Sequence, residues 1–155
     1  MKSILHSIFV IVAAASIAMA ADKPNFSGIW KMNVAKSNFG ANAPLTSYTR
    51  QVTHAEPSLT IEDDQKGGYV GAAHFIVKYT TDGKAVNYDL NGIDMNATAT
   101  WEGDAIVTTS RDTAGFGLAT KGKMTLSDGG KTLTLVFSAQ TPQGALDVVF
   151  VFDKQ

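Results

Sequence analysis

Cysteine is absent from this 155-residue chain. That excludes disulfide staples, a thiol nucleophile and the lipidated cysteine of a bacterial lipoprotein, so stability must come from a sizeable apolar core. Charge is scarce as well: 17% of residues are charged, the formal net charge is -1, and no basic cluster occurs. Nucleic acid and anionic membrane surfaces are recognised through such clusters, so neither is an expected partner. Arginine occurs twice, as Arg50 and Arg111. There is no GxSxG elbow, and no stretch holds a helical period long enough to place a serine on a helix. Beyond the N-terminal segment, no apolar run is long enough to cross a bilayer as a helix. No cofactor and no metal site are implied.

The N-terminal segment has the layout of a secretory signal. Lys2 precedes an apolar run over residues 8–17, and Ala18, Met19 and Ala20 supply small residues at the spacing of a cleavage site. The run is too short for a membrane anchor, and no basic stop-transfer cluster follows it. Residues 1–20 are therefore expected to be removed. Residues 21–155 are expected to form one exported domain, periplasmic or secreted.

That domain opens with a strand. Phe26, Gly28, Trp30 and Met32 alternate with Ser27, Ile29, Lys31 and Asn33, a period of two with one largely apolar face. Gly28 removes a side chain between two aromatics and allows a close approach there. The Phe-x-Gly-x-Trp-Lys pattern resembles the first strand of the calycin barrels, the lipocalins and intracellular fatty-acid-binding proteins. Ser37, Asn38 and Phe39 extend the likeness to the fatty-acid-binding opening. The chain also resembles a lipocalin-like group of small exported bacterial proteins. The resemblance implies a β-barrel and a habit of binding small apolar molecules, with Trp30 closing one barrel end. It departs from the fatty-acid-binding proteins where their helical lid follows the first strand, because no helical period appears here.

Downstream, the pattern is of short strands and turns. Strands are expected over residues 46–54, 58–62, 73–80, 84–90, 95–101, 105–111, 117–127, 131–139 and 145–153. Residues 63–68, polar and glycine-rich, read as a turn, and Asp82-Gly83 and Asn91-Gly92 as hairpin signals. The expected class is all-β: a single antiparallel up-and-down β-barrel of about eight to ten strands. A two-sheet sandwich is the alternative, but successive hairpins without long crossovers favour closure, which also removes edges. A lipid-facing outer-membrane barrel conflicts with outward Lys31, Lys78, Asp89, Asn96, Lys121, Lys123 and Asp147.

The inward face is the informative set. Phe26, Trp30, Met32, Phe75, Tyr79, Tyr88, Met95, Trp101, Met124, Phe137, Phe150 and Phe152 supply bulk, while Gly28, Ala97, Ala99 and Gly122 leave room. Such a mixture either interdigitates as a solid core or lines a cavity. If it lines a cavity, the ligand-contacting residues are Tyr79, Tyr88, Ala97, Ala99, Arg111, Phe137 and Phe150. Arg111 follows the alternation of Val107 and Thr109 and, if inward, would anchor a carboxylate; otherwise it is a strand-end arginine in solvent. The Arg-x-Tyr that ends the fatty-acid-binding proteins is replaced here by Phe150 and Phe152, and neither a Thr-Asp-Tyr turn nor a late arginine of the lipocalins is evident. His54 and His74 read as surface residues and Glu62, Asp63 and Asp64 as a polar turn, since no metal-ligand spacing is present. The sequence thus favours a binding protein for a small apolar ligand. The alternative is a non-catalytic envelope protein with a solid barrel that meets another protein through its loops.

Overall fold

The structure, a computed structural model, describes residues 22–68 and 71–155. The expected signal segment, residues 1–20, lies outside the described residues. Ten strands follow: β1 (Gly28–Met32), β2 (Leu45–Ala55), β3 (Ser58–Gly67), β4 (Gly71–Thr80), β5 (Val86–Leu90), β6 (Ile93–Glu102), β7 (Ala105–Asp112), β8 (Ala119–Ser127), β9 (Thr132–Thr141) and β10 (Gly144–Lys154). Every sequential pair except β4 and β5 shares an antiparallel ladder, and β1 also pairs with β10. The result is one sheet in the order β4-β3-β2-β1-β10-β9-β8-β7-β6-β5, curled into a nearly closed up-and-down barrel. At the seam, Phe75 of β4 and Tyr88 of β5 stand 6.0 Å apart between ring centroids. Asp82 and Thr100 form an isolated bridge there.

Local sequence accounts for most of this. Alternation sets one face of each strand inward, as in β10, where Val148, Phe150 and Phe152 are buried. Asn91 and Gly92 link β5 to β6 with φ of 52° and 85°, the left-handed pair that matches strand twist in a two-residue hairpin. Between β1 and β2, the described residues hold one three-residue 3-10 turn, Val34–Lys36, and no helical lid. Residues 33–44 instead run beside β10, with Asn38 and Val149 exchanging both backbone hydrogen bonds at 2.8 Å.

Trp30 and Phe26 are both 0% exposed and seal one end of the barrel. The Trp30 indole N–H donates to the Phe26 carbonyl at 3.0 Å. Gly28 is needed beside them because its φ of 149° is a conformation that residues with a Cβ rarely adopt, and a Cβ there would also come within 2.7 Å of Lys154 Cε. The lysine stem lies in that space, and its ammonium sits 5.2 Å from the Trp30 ring, a cation–π contact.

Three expectations are corrected. Asp82-Gly83 does not close a hairpin, because β4 and β5 share no ladder and Asp82 instead bridges to Thr100 of β6. Residues 63–67 are not a turn but the second half of β3, because Asp63 points inward to a buried cationic partner. Gly122 leaves no room: a Cβ there would meet Leu135 Cδ1 and Thr108 Oγ1 at 3.0 Å, so its neighbours already fill the space. On the outer face, Lys31, Lys78, Asp89, Lys121 and Asp147 are exposed, a surface that a lipid-facing band would not hold at mid-bilayer. No helix among the described residues is long and apolar enough to cross a membrane.

Candidate functional site

The centre of the barrel holds a charged pair. Arg50 of β2 and Asp63 of β3 are direct cross-strand partners, 7% and 1% exposed. Arg50 Nε donates to Asp63 Oδ1 at 2.8 Å and Nη2 to Oδ2 at 2.7 Å, a bidentate fork. Tyr48 completes the group, receiving Arg50 Nη2 at 2.7 Å and donating its hydroxyl to Asp63 Oδ2 at 2.9 Å. Burial by itself would lower the Arg50 pKa, but the Asp63 carboxylate and then Tyr48 overcome it and hold it above its ordinary value. Burial drives the Tyr48 hydroxyl well above its usual range, Arg50 opposing and Asp63 adding. The remaining guanidinium nitrogen, Nη1, reaches Met124 Sδ of β8 at 3.2 Å. The Tyr48 ring meets Phe150 and Phe152 edge-on at 5.2 and 4.9 Å. This group forms a crossbar through the barrel, since β2 and β8 stand four strands apart in the sheet.

The two ends differ. At the sealed end, Phe26, Trp30, Leu59, Ile106 and Leu133 are fully buried. His54 belongs to this plug rather than to the surface, which corrects the sequence reading. The Phe26 amide donates to His54 Nδ1 at 3.2 Å, which leaves Nε2 as the protonated nitrogen facing Glu56 Oε1 at 2.7 Å. Glu56 also accepts Trp101 Nε1 at 2.9 Å and Thr81 Oγ1 at 2.7 Å. Burial pushes the Glu56 carboxyl up, but hydrogen bonds from Thr81, His54 and Trp101 outweigh it and hold it below its ordinary value.

At the opposite end, inward Phe75, Tyr88, Phe137 and Leu146 are half-buried. Phe39, from the connection between β1 and β2, covers part of this mouth by packing on Phe150 at 5.9 Å. A short polar chain lines one wall: Tyr88 OH to Ser110 Oγ at 3.2 Å, and Ser110 Oγ to Thr120 Oγ1 at 2.7 Å. Burial raises the Tyr88 and Tyr79 pKa values, so both hydroxyls stay neutral.

The structure sorts the residues expected to contact a ligand. Phe137 and Phe150 stand 6.3 Å apart between ring centroids, and Tyr88 packs on Phe75 at 6.0 Å on the other wall. Tyr79, Ala97 and Ala99 are buried in the packed interior. Arg111 does not point inward: Ile106, Thr108 and Ser110 take the inner face of β7, so Arg111, one position out of phase, is exposed. The inward arginine is Arg50, which sequence reasoning passed over. Its signal was present, in the alternation of Tyr48, Arg50 and Val52 opposite Ile61, Asp63 and Gln65. The acidic trio divides accordingly: Asp63 faces in, while Glu62 and Asp64 flank exposed His74 on the outer face at 3.7 and 3.4 Å.

No protein-family model matches the chain, and no curated protein matches it in sequence. Solved structures do match over most of its length. Secretory abundant heat soluble protein 4 from Ramazzottius varieornatus superposes with a TM-score of 0.63 at 11% identity, over 89% of this chain and 99% of that one. Zebrafish ileal bile acid-binding protein, solved with cholic acid, gives 0.59 at 14% identity, over 84% and 98%. A point mutant of the fatty acid transporter REP1-NXSQ gives 0.56 at 11% identity, over 84% and 98%. The fold is a calycin-like up-and-down barrel. At identities this low, the fold is what these proteins share with the chain. Within that fold, this chain has no helical lid among its described residues, and it has an internally neutralised arginine at its centre.

Proposed function

We propose that the chain is an exported, non-catalytic binding protein that admits a small apolar molecule through the open end of its barrel. The asymmetry between the ends carries this reading: one is sealed by Phe26 and Trp30, while inward aromatic side chains stay half-buried at the other. The crossbar limits the depth available, so the ligand is compact and held against Phe75, Tyr88, Phe137 and Phe150. Burial of its apolar surface supplies the affinity, at about 25 cal/mol per Å². Two structural neighbours, named for bile acid binding and fatty acid transport, support a binding role, and the pattern of Lys2, an apolar run and Ala18-Met19-Ala20 supports export. Native mass spectrometry of the protein purified from its own envelope tests both. A mature chain starting at Ala21 with a co-purifying small molecule is expected; a chain starting at Met1 removes export, and a bare protein that binds no apolar dye removes the carrier role.

A second reading has one observation of its own. Phe116, 60% exposed, stands at the tip of the loop between β7 and β8. Asp112 accepts the Phe116 and Leu118 amides at 2.7 and 2.8 Å and so holds the loop in shape. A fixed, exposed ring suits contact with another protein through the loops. Phe116→Ser separates the two roles, because it abolishes such contact and leaves dye binding unchanged.

A further inference from the structure

We propose that the ligand is an uncharged molecule with a hydroxyl or carbonyl oxygen, and that Arg50 Nη1 takes this oxygen in place of the Met124 thioether. This rests on the binding role proposed above and adds the chemistry of the ligand. The Arg50 side chain is 9% exposed. Its Nε and Nη2 are committed to Asp63 and Tyr48. Nη1 carries two N–H groups, and its one acceptor among the described residues is Met124 Sδ at 3.2 Å. A thioether is a weak acceptor, so a buried guanidinium leaves its free donor on a poor partner. An oxygen delivered from the mouth improves on that partner.

The same geometry disfavours a carboxylate. Asp63 already cancels the charge of Arg50, so an incoming anion would be desolvated beside Asp63 with no surplus cation to receive it. The tyrosines around the site add no positive charge, and Lys31, Lys78 and Lys121 lie on the outer face. A neutral oxygen meets no such penalty and accepts a charge-assisted hydrogen bond.

The test is displacement of diphenylhexatriene, a dye without oxygen, from the full-length protein by decanol, decanone and decanoate, at about pH 8 where the acid is ionised. Decanol and decanone are expected to bind at least about tenfold more tightly than decanoate. The double substitution Arg50→Met/Asp63→Leu removes both charges together, so neither is stranded in the core; it is expected to keep the dye and lose about tenfold in decanol affinity. Met124→Leu, which removes the competing sulfur, is expected to bind decanol as well as the unaltered protein or better. Decanoate binding as tightly as decanol, or undiminished decanol binding in the double variant, overturns the inference and leaves the carrier role standing. Failure of the dye and all three probes to bind the unaltered protein overturns both.

Discussion

Arg50 and Met124 meet across the barrel interior, Nη1 to Sδ at 3.2 Å, from strands that share no ladder. A long side chain from one wall thereby ends on the other, and the pair with Asp63 makes that reach tolerable inside an apolar core. A buried ion pair of this kind is costly to break and cheap to replace whole, because removing one partner strands a charge.

Arg50→Met should therefore destabilise the fold by about 3–5 kcal/mol, whereas Arg50→Met/Asp63→Leu should recover most of that loss. Urea unfolding of the two variants checks this. Equal losses in both would mean that Asp63 is not held by Arg50 in solution.

At the sealed end, Trp30→Ala should cost about 3–5 kcal/mol, as expected for a fully buried aromatic, measured by urea unfolding. A loss under about 1 kcal/mol would place the ring outside the core.

Acid should act through Glu56. Its folded pKa lies below the ordinary 4.5 because hydrogen bonds from Thr81, His54 and Trp101 outweigh burial. The unfolded state therefore binds the proton more readily, and the carboxylate stabilises the fold above the ordinary value. That contribution is lost as pH falls through the folded pKa. Stability measured against pH should fall less steeply on the acid side in Glu56→Gln than in the unaltered chain. Parallel curves would show that the three donors do not favour the charged form.

The barrel was legible in the sequence because its signals are local. Alternation in residues 26–33 and 95–101 marks strands, and Asn91-Gly92 prescribes a hairpin. The site was less legible because its key contact is non-local and polar. Asp63 sits in a run of charged and glycine residues that looks like a turn, and only its pairing with Arg50 across the β2–β3 ladder makes it a core residue. Arg111 was open to either face, because one residue of register reverses the face in a strand, and the β7 register puts it in solvent. His54 resembles a surface histidine until Phe26 and Glu56, brought in from the N-terminal segment and the next turn, take both ring nitrogens.

Binding at the mouth and packing below it predict different responses to substitution. Phe137 and Phe75 are half-buried at the end opposite Trp30, so Phe137→Ala and Phe75→Ala remove area proposed to contact a ligand while giving up only part of a buried ring. Each should weaken binding of an apolar dye several-fold, with a stability cost below the full ~3–5 kcal/mol of a buried aromatic. Ala99 is fully buried on β6 opposite Thr108 of β7, so Ala99→Phe should overpack the core and cost about 1–3 kcal/mol or more. Its dye affinity, corrected for the unfolded fraction, should stay close to that of the unaltered protein, because Ala99 lies in the packed interior rather than at the mouth. Paired dye titration and urea unfolding separate these outcomes. If Ala99→Phe abolishes binding while the fold stays intact, the ligand occupies the deep interior and the crossbar opens to admit it.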